Sequence, residues 1–129
     1  MRATIAIDRS VVAQDSTAAV LVYVINDGPD TVPAANPDSY GCFDAFVVTD
    51  SVGRAVNRYG RLCSLIGYLD VKLPPHDSIE VHGFWSPRTP NMQGVSTPLP
   101  PGRYSITADV GINKREVTSK PLPIDVVPP

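Results

Sequence analysis

His76, Asp77, Glu80 and His82 are the residues whose types and closeness in this chain invite a reading as acid–base or metal chemistry. Imidazole and carboxylate are competent metal ligands. Glu80 and His82 stand two positions apart, so an extended backbone puts them on one face. A solvated strand face accounts for the same residues equally well. Their spacing matches no recognised ligand pattern, and no Gly-x-Ser-x-Gly elbow supplies a nucleophile for His76 or His82 to serve. Neither a glycine-rich phosphate loop nor a dinucleotide fingerprint is present. The expectation is a protein that is not an enzyme, with no catalytic residues, no cofactor and no metal site.

Cys42 and Cys63 carry the redox information. No Cys-x-x-Cys and no cysteine–histidine pair at zinc-finger spacing occurs, so a structural zinc is not expected. Two readings remain. A disulfide would close a loop worth on the order of 3 kcal/mol in a chain-entropy model. Alternatively these are two separate buried thiols, since free cysteine behaves as a small hydrophobe. An even count in a small β-domain leans toward the bond, and a bond implies an oxidising compartment. The expected location is therefore extracytoplasmic (periplasmic, secreted or surface), with the cytoplasm as the alternative. Met1-Arg2-Ala3-Thr4 leads straight into the strand-like Ile5-Ala6-Ile7, with no visible signal peptide. The chain thus reads as cytoplasmic or as a mature form whose export segment was removed or not included.

Binding surfaces are the stronger expectation. Gly83-Phe84-Trp85-Ser86-Pro87-Arg88-Thr89-Pro90-Asn91-Met92 sets the only tryptophan beside an arginine, a methionine and two prolines. Aromatic residues and arginine dominate interface hot spots, and prolines lower the cost of ordering a loop. Trp85, Arg88 and Met92 are accordingly candidate partner contacts; the competing reading makes Phe84 or Trp85 plain core. Ser86 to Pro101, about sixteen residues without periodicity, exceeds the usual loop length. A second surface is expected at Tyr40 and Arg61, which flank the cysteines together with Tyr59. Its alternative is a stapled connection with no partner.

These residues need elements to hold them. In Leu99-Pro100-Pro101-Gly102 a turn feeds into strict alternation, with Tyr104, Ile106, Ala108 and Val110 on one face. Arg103, Ser105, Thr107 and Asp109 take the other, the pattern of a strand that covers a core on one side. Thr17 to Asn26 is apolar on both faces, so it is central in a sandwich or presents one face to a partner. Arg2 to Asp8 alternates, and Ser10 to Gln14 reads as its continuation after a bend. Strands are also expected over Phe43–Asp50, Arg54–Tyr59, Tyr68–Leu73, Ser78–Trp85, Lys114–Ser119 and Leu122–Val126. In Ser78–Trp85, Ile79 and Val81 read as inward, and Ser78, Glu80 and His82 as outward.

The 14 prolines argue against long helices. At 129 residues the chain suits one domain, residues 1–129. The formal charge of −2 comes from mixed signs with no basic stripe, which speaks against nucleic acid as a partner. Ala18 to Ile25, the longest apolar run, falls far short of the ~20 residues of a membrane helix. About eight or nine short strands with turn signals at this spacing define an all-β, immunoglobulin-like antiparallel β-sandwich.

Three landmarks carry a resemblance: Val20-Leu21-Val22-Tyr23-Val24-Ile25-Asn26-Asp27-Gly28, Phe46 to Val56, and Leu99 to Ile106. Leu73-Pro74-Pro75-His76-Asp77-Ser78, between the last two, looks like the corner common before a late strand. Over roughly residues 17 to 112 the chain resembles the intracellular proteinase inhibitor (BsuPI-like) family and related bacterial immunoglobulin-like domains. The resemblance implies the sandwich fold and, as one functional expectation, proteinase inhibition through the exposed proline-rich loop. The residues themselves point first to a non-enzymatic protein-binding or structural module, an accessory subunit whose partners are other protein subunits.

Overall fold

Proline content and β-branched runs leave this chain strands rather than helices, and its computed structural model contains no helix among the described residues. The structure describes residues 1–33, 42–43, 46–59, 62–63, 72–89, 96–112 and 115–129. Of residues 33, 42–43, 57–59, 62–63, 81, 111–112 and 115 it describes the backbone alone. β1 (Arg2–Ile7), β2 (Val11–Ala13) and β3 (Ala18–Ile25) come first, then the short β4 (Val32–Pro33). β5 (Cys42–Phe43), β6 (Phe46–Thr49), β7 (Ala55–Tyr59) and β8 (Leu62–Cys63) run out and back. β9 (Lys72–Leu73), β10 (Ser78–Trp85), β11 (Gly102–Ile112), β12 (Arg115–Thr118) and β13 (Leu122–Val127) complete the described elements.

β1, β3 and β10 form a three-stranded antiparallel sheet with β3 in the middle. The second sheet runs β2-β13-β11-β6-β7, with β12 pairing the far half of β11. Their facing sides make the core. Ala18, Val20, Val22 and Val24 of β3 meet Phe46 and Val48 of β6 and the Tyr104, Ile106, Ala108, Val110 face of β11, all buried in one cluster. Each buried valine, isoleucine or phenylalanine among them stabilises the fold by about 1.5–3 kcal/mol relative to exposure. The alternation seen in the sequence of β11 therefore is its burial pattern.

One expectation is corrected. Ser10 to Gln14 does not continue β1 in its own sheet. Asp8 N–H donates to the Ala19 carbonyl at 3.1 Å, and two residues later the Ser10 carbonyl accepts from Asp125 N–H at 2.9 Å. β2 then pairs with β13 in parallel. The chain crosses here from one layer to the other, and Val12 of β2 is buried in the core between them. The described ends of the Ser86–Pro101 segment, residues 86–89 and 96–101, are also less irregular than the sequence suggests. Arg88 and Pro98 form a bridge, Thr89 N–H donates to the Thr97 carbonyl, and Leu99 N–H to the Pro87 carbonyl.

Two side-chain devices fix the corners. Tyr104 donates its hydroxyl to the Pro100 carbonyl at 2.7 Å, the tyrosine-corner arrangement found at the start of a late sandwich strand. Asn26, 1% exposed, donates to the Leu73 and Asp30 carbonyls and accepts from Gly28 N–H, tying the turn after β3 and the end of β9 to the end of β3. Two face-to-face sheets, a sheet-switching first strand and this corner make the fold an immunoglobulin-like β-sandwich.

Candidate interaction surface

Because side chains alternate along β10, neighbours in sequence go to opposite sides. Trp85 points inward and is 0% exposed, opposite Ala18 on β3, whose small side chain leaves room for the indole. Phe84 points outward and is 74% exposed. Around Phe84 the register brings Ala19 and Leu21 of β3, and Ala6 of β1 beside Leu21. These residues, with His82 and Asp8, line a shallow depression of about 360 Å³ whose walls are mostly apolar. An exposed aromatic on the outer strand, beside an apolar patch with charged groups at its border, has the composition of an interface core and rim.

Glu80 and His82, singled out in the sequence, share this face and meet at 3.2 Å between Oε2 and Nε2. Both are more than half exposed, which describes a solvated pair bordering the patch. His76 lies in the turn before β10 with φ of 67°, its N–H donating to the Asn26 carbonyl at 2.7 Å. Its place is architectural. Among the described residues, no group of three or more His, Cys, Asp or Glu side chains is arranged to hold a metal ion.

The expected contact residues fare differently. Trp85 is core, a correction to its reading as a partner contact: full burial leaves no indole surface for another molecule to touch. Among the described residues its Nε1 has no hydrogen-bond partner, a further sign that packing decides its position. Arg88 is half-buried and turned onto its own loop, donating from Nε to Ser96 Oγ at 2.9 Å and from Nη2 to the Ser96 carbonyl at 2.8 Å. Thr89 and Thr97 hydroxyls meet at 3.1 Å beside it. Met92, Tyr40 and Arg61 lie outside the described residues. Cys42 and Cys63 occupy directly opposed positions of the β5–β8 ladder. Phe84 is the surface residue that sequence reasoning missed, although the inward–outward alternation along β10 was there to assign it.

No family model matches this sequence, and no curated protein matches it. Solved structures do. A CARDB domain from Pyrococcus furiosus, crystallised in complex with di-metal ions, superposes with a TM-score of 0.57 at 18% identity, covering 99% of this chain and 93% of that one. The C-terminal domain of wzt gives 0.55 at 8% identity, over 98% of this chain and 71% of that one. A β-glucosidase from Erythrobacter marinus gives 0.53 at 18% identity; 98% of this chain is covered, but only 15% of the enzyme. At these identities the likeness is one of fold, and it agrees with the immunoglobulin-like sandwich.

Proposed function

We propose that this chain is a non-enzymatic protein-binding module, an extracytoplasmic accessory subunit of a larger assembly, which docks through the outer face of the β1–β3–β10 sheet. The observation that carries the reading is Phe84, exposed on a regular strand among Ala6, Ala19 and Leu21. A sheet face is rigid, so a partner meets it without an ordering cost in the loops. The Glu80–His82 pair and Asp8 at the border supply polar recognition. The extracytoplasmic assignment rests on the even cysteine pair. The test places a photo-crosslinking amino acid at position 84 or, as control, at Arg103 on the outside of the opposite sheet. Irradiation in an extract of the native source should give a discrete protein adduct from position 84 and none from 103. Equal labelling at both positions, or none at either, would sink the proposal.

A second reading, a proteinase inhibitor of the BsuPI-like type, draws support from the braced base of the Ser86–Pro101 loop. The Arg88–Ser96 and Thr89–Thr97 bonds hold its two arms together. Micromolar protein without effect on a panel of serine proteases would remove it.

A further inference from the structure

We infer that Cys42 and Cys63 form an intramolecular disulfide that clamps the open end of the β6–β7 hairpin. The inference rests on strand register and is independent of the partner reading above. In the β6–β7 ladder Phe46 pairs with Tyr59, Val47 with Arg58 and Val48 with Asn57. In the β5–β8 ladder Phe43 pairs with Leu62 and Cys42 with Cys63. Equal lengths of chain separate the two ladders on either side, residues 44–45 and 60–61, so both ladders keep one common register.

Residues directly opposed in an antiparallel pair have Cα atoms about 4.5 or 5.5 Å apart, depending on the pair type. Both separations fall inside the range of about 4.4–6.8 Å that a disulfide spans. The opposition depends on an irregularity. Thr49 pairs with Ala55, and the register shifts by one between Val48 and Thr49. Without that bulge the same count from the turn would set Cys42 opposite Leu62. One extra residue in β7 thus brings the chain's only two cysteines level. β5 and β8 have two residues each, few backbone bonds with which to hold a hairpin end closed.

The bond forms by exchange with a disulfide oxidant, oxidised glutathione or the disulfide of an oxidoreductase. One cysteine thiolate attacks the oxidant's S–S bond, giving a mixed disulfide and releasing one oxidant thiolate. The other cysteine thiolate attacks the chain's sulfur in that mixed disulfide, closing the Cys42–Cys63 bond and releasing the second oxidant thiolate. The two cysteine protons go to the released thiolates, and the oxidant takes up two electrons.

The test equilibrates the full chain with oxidised glutathione, unfolds it and alkylates it with iodoacetamide, with and without prior reduction. The expected unreduced chain is unlabelled and about 116 Da lighter than the reduced one, which gains two hydrogens and two carbamidomethyl groups of about 57 Da each. Trypsin cuts after Arg54, Arg58 and Arg61, so a Cys42 peptide and a Cys63 peptide should be found joined, and should separate on reduction. Two alkylated thiols without reduction, two glutathione adducts, or disulfide-linked dimers on a non-reducing gel would each overturn the assignment. None of these outcomes touches crosslinking at position 84, so the docking reading and the disulfide fail separately; two free thiols would remove only the ground for the extracytoplasmic assignment.

Discussion

The carboxamide of Asn26 shows what one buried polar residue does for this sandwich. Its Nδ2 donates to the Leu73 carbonyl at 2.9 Å and the Asp30 carbonyl at 2.7 Å, while Oδ1 accepts from Gly28 N–H at 3.0 Å. Its main chain bonds to Asp77 and His76 as well. Truncation would strand at least one buried acceptor, and an unsatisfied buried group costs about 1–3 kcal/mol. Asn26→Ala should lower stability by about 2–3 kcal/mol, read as a lower urea midpoint with an unchanged slope. A loss below about 0.5 kcal/mol would show that solvent replaces these bonds. The sequence disclosed Asn26 only as part of a turn, because a partner as distant as Leu73 leaves no local trace. Phe84 and Trp85 were the reverse case. Reading Ile79 as inward and Glu80 and His82 as outward, continued along the strand, sends Trp85 to the core and Phe84 to solvent. Composition pulled the other way, since a tryptophan beside an arginine has the makeup of a contact site.

Among the elements, the β6–β7 hairpin is governed by its turn. Asp50 Oδ1 accepts from Arg54 N–H at 2.9 Å and Val52 N–H at 3.0 Å, and Gly53 takes a φ of 86° that side chains rarely adopt. The Arg54 amide is the main reason the Asp50 carboxyl lies below its ordinary value; the Val52 amide adds to it, and partial desolvation opposes both. A carboxylate whose folded pKa is depressed stabilises the fold above its unfolded pKa of about 3.9 and loses that contribution as pH falls through the folded value. Asp50→Asn should therefore be less stable than the parent at neutral pH, with the difference shrinking as pH drops below about 4. Urea midpoints across that range measure it; a difference constant with pH would place the effect in geometry rather than charge. Asp50-Ser51-Val52-Gly53 was legible as this turn. The bulge was not, because nothing in Thr49 or Ala55 marks where the ladder gains a residue, and the facing of Cys42 and Cys63 depends on it. The base of the Ser86–Pro101 loop escaped for a similar reason. It is held by one bridge and side-chain bonds, which impose no period on the sequence.

At the scale of the molecule, the two layers are tied by the first strand passing from one to the other. The alternating strands that make the sandwich could be read from the sequence, since each carries its own burial pattern. The crossing at Asp8–Ser10 could not, because β2 is three residues long and its pairing with β13 is parallel, between segments at opposite ends of the chain. The layer crossing has a measurable consequence. Val12 belongs to the six-stranded sheet and is fully buried, whereas Trp85, the one tryptophan, sits in the three-stranded sheet. Val12→Ala removes two buried methyl groups and leaves a small void, a loss of about 2 kcal/mol. If the core is shared, that loss is felt by both layers at once. Trp85 emission, short-wavelength in the native state because the indole is buried, should report the same reduced urea midpoint as far-ultraviolet circular dichroism. Coincident transitions are the mark of two-state unfolding. Should the fluorescence midpoint stay at the parent value while the dichroism midpoint falls, the layers unfold separately, and the crossing strand does not bind them into one cooperative unit.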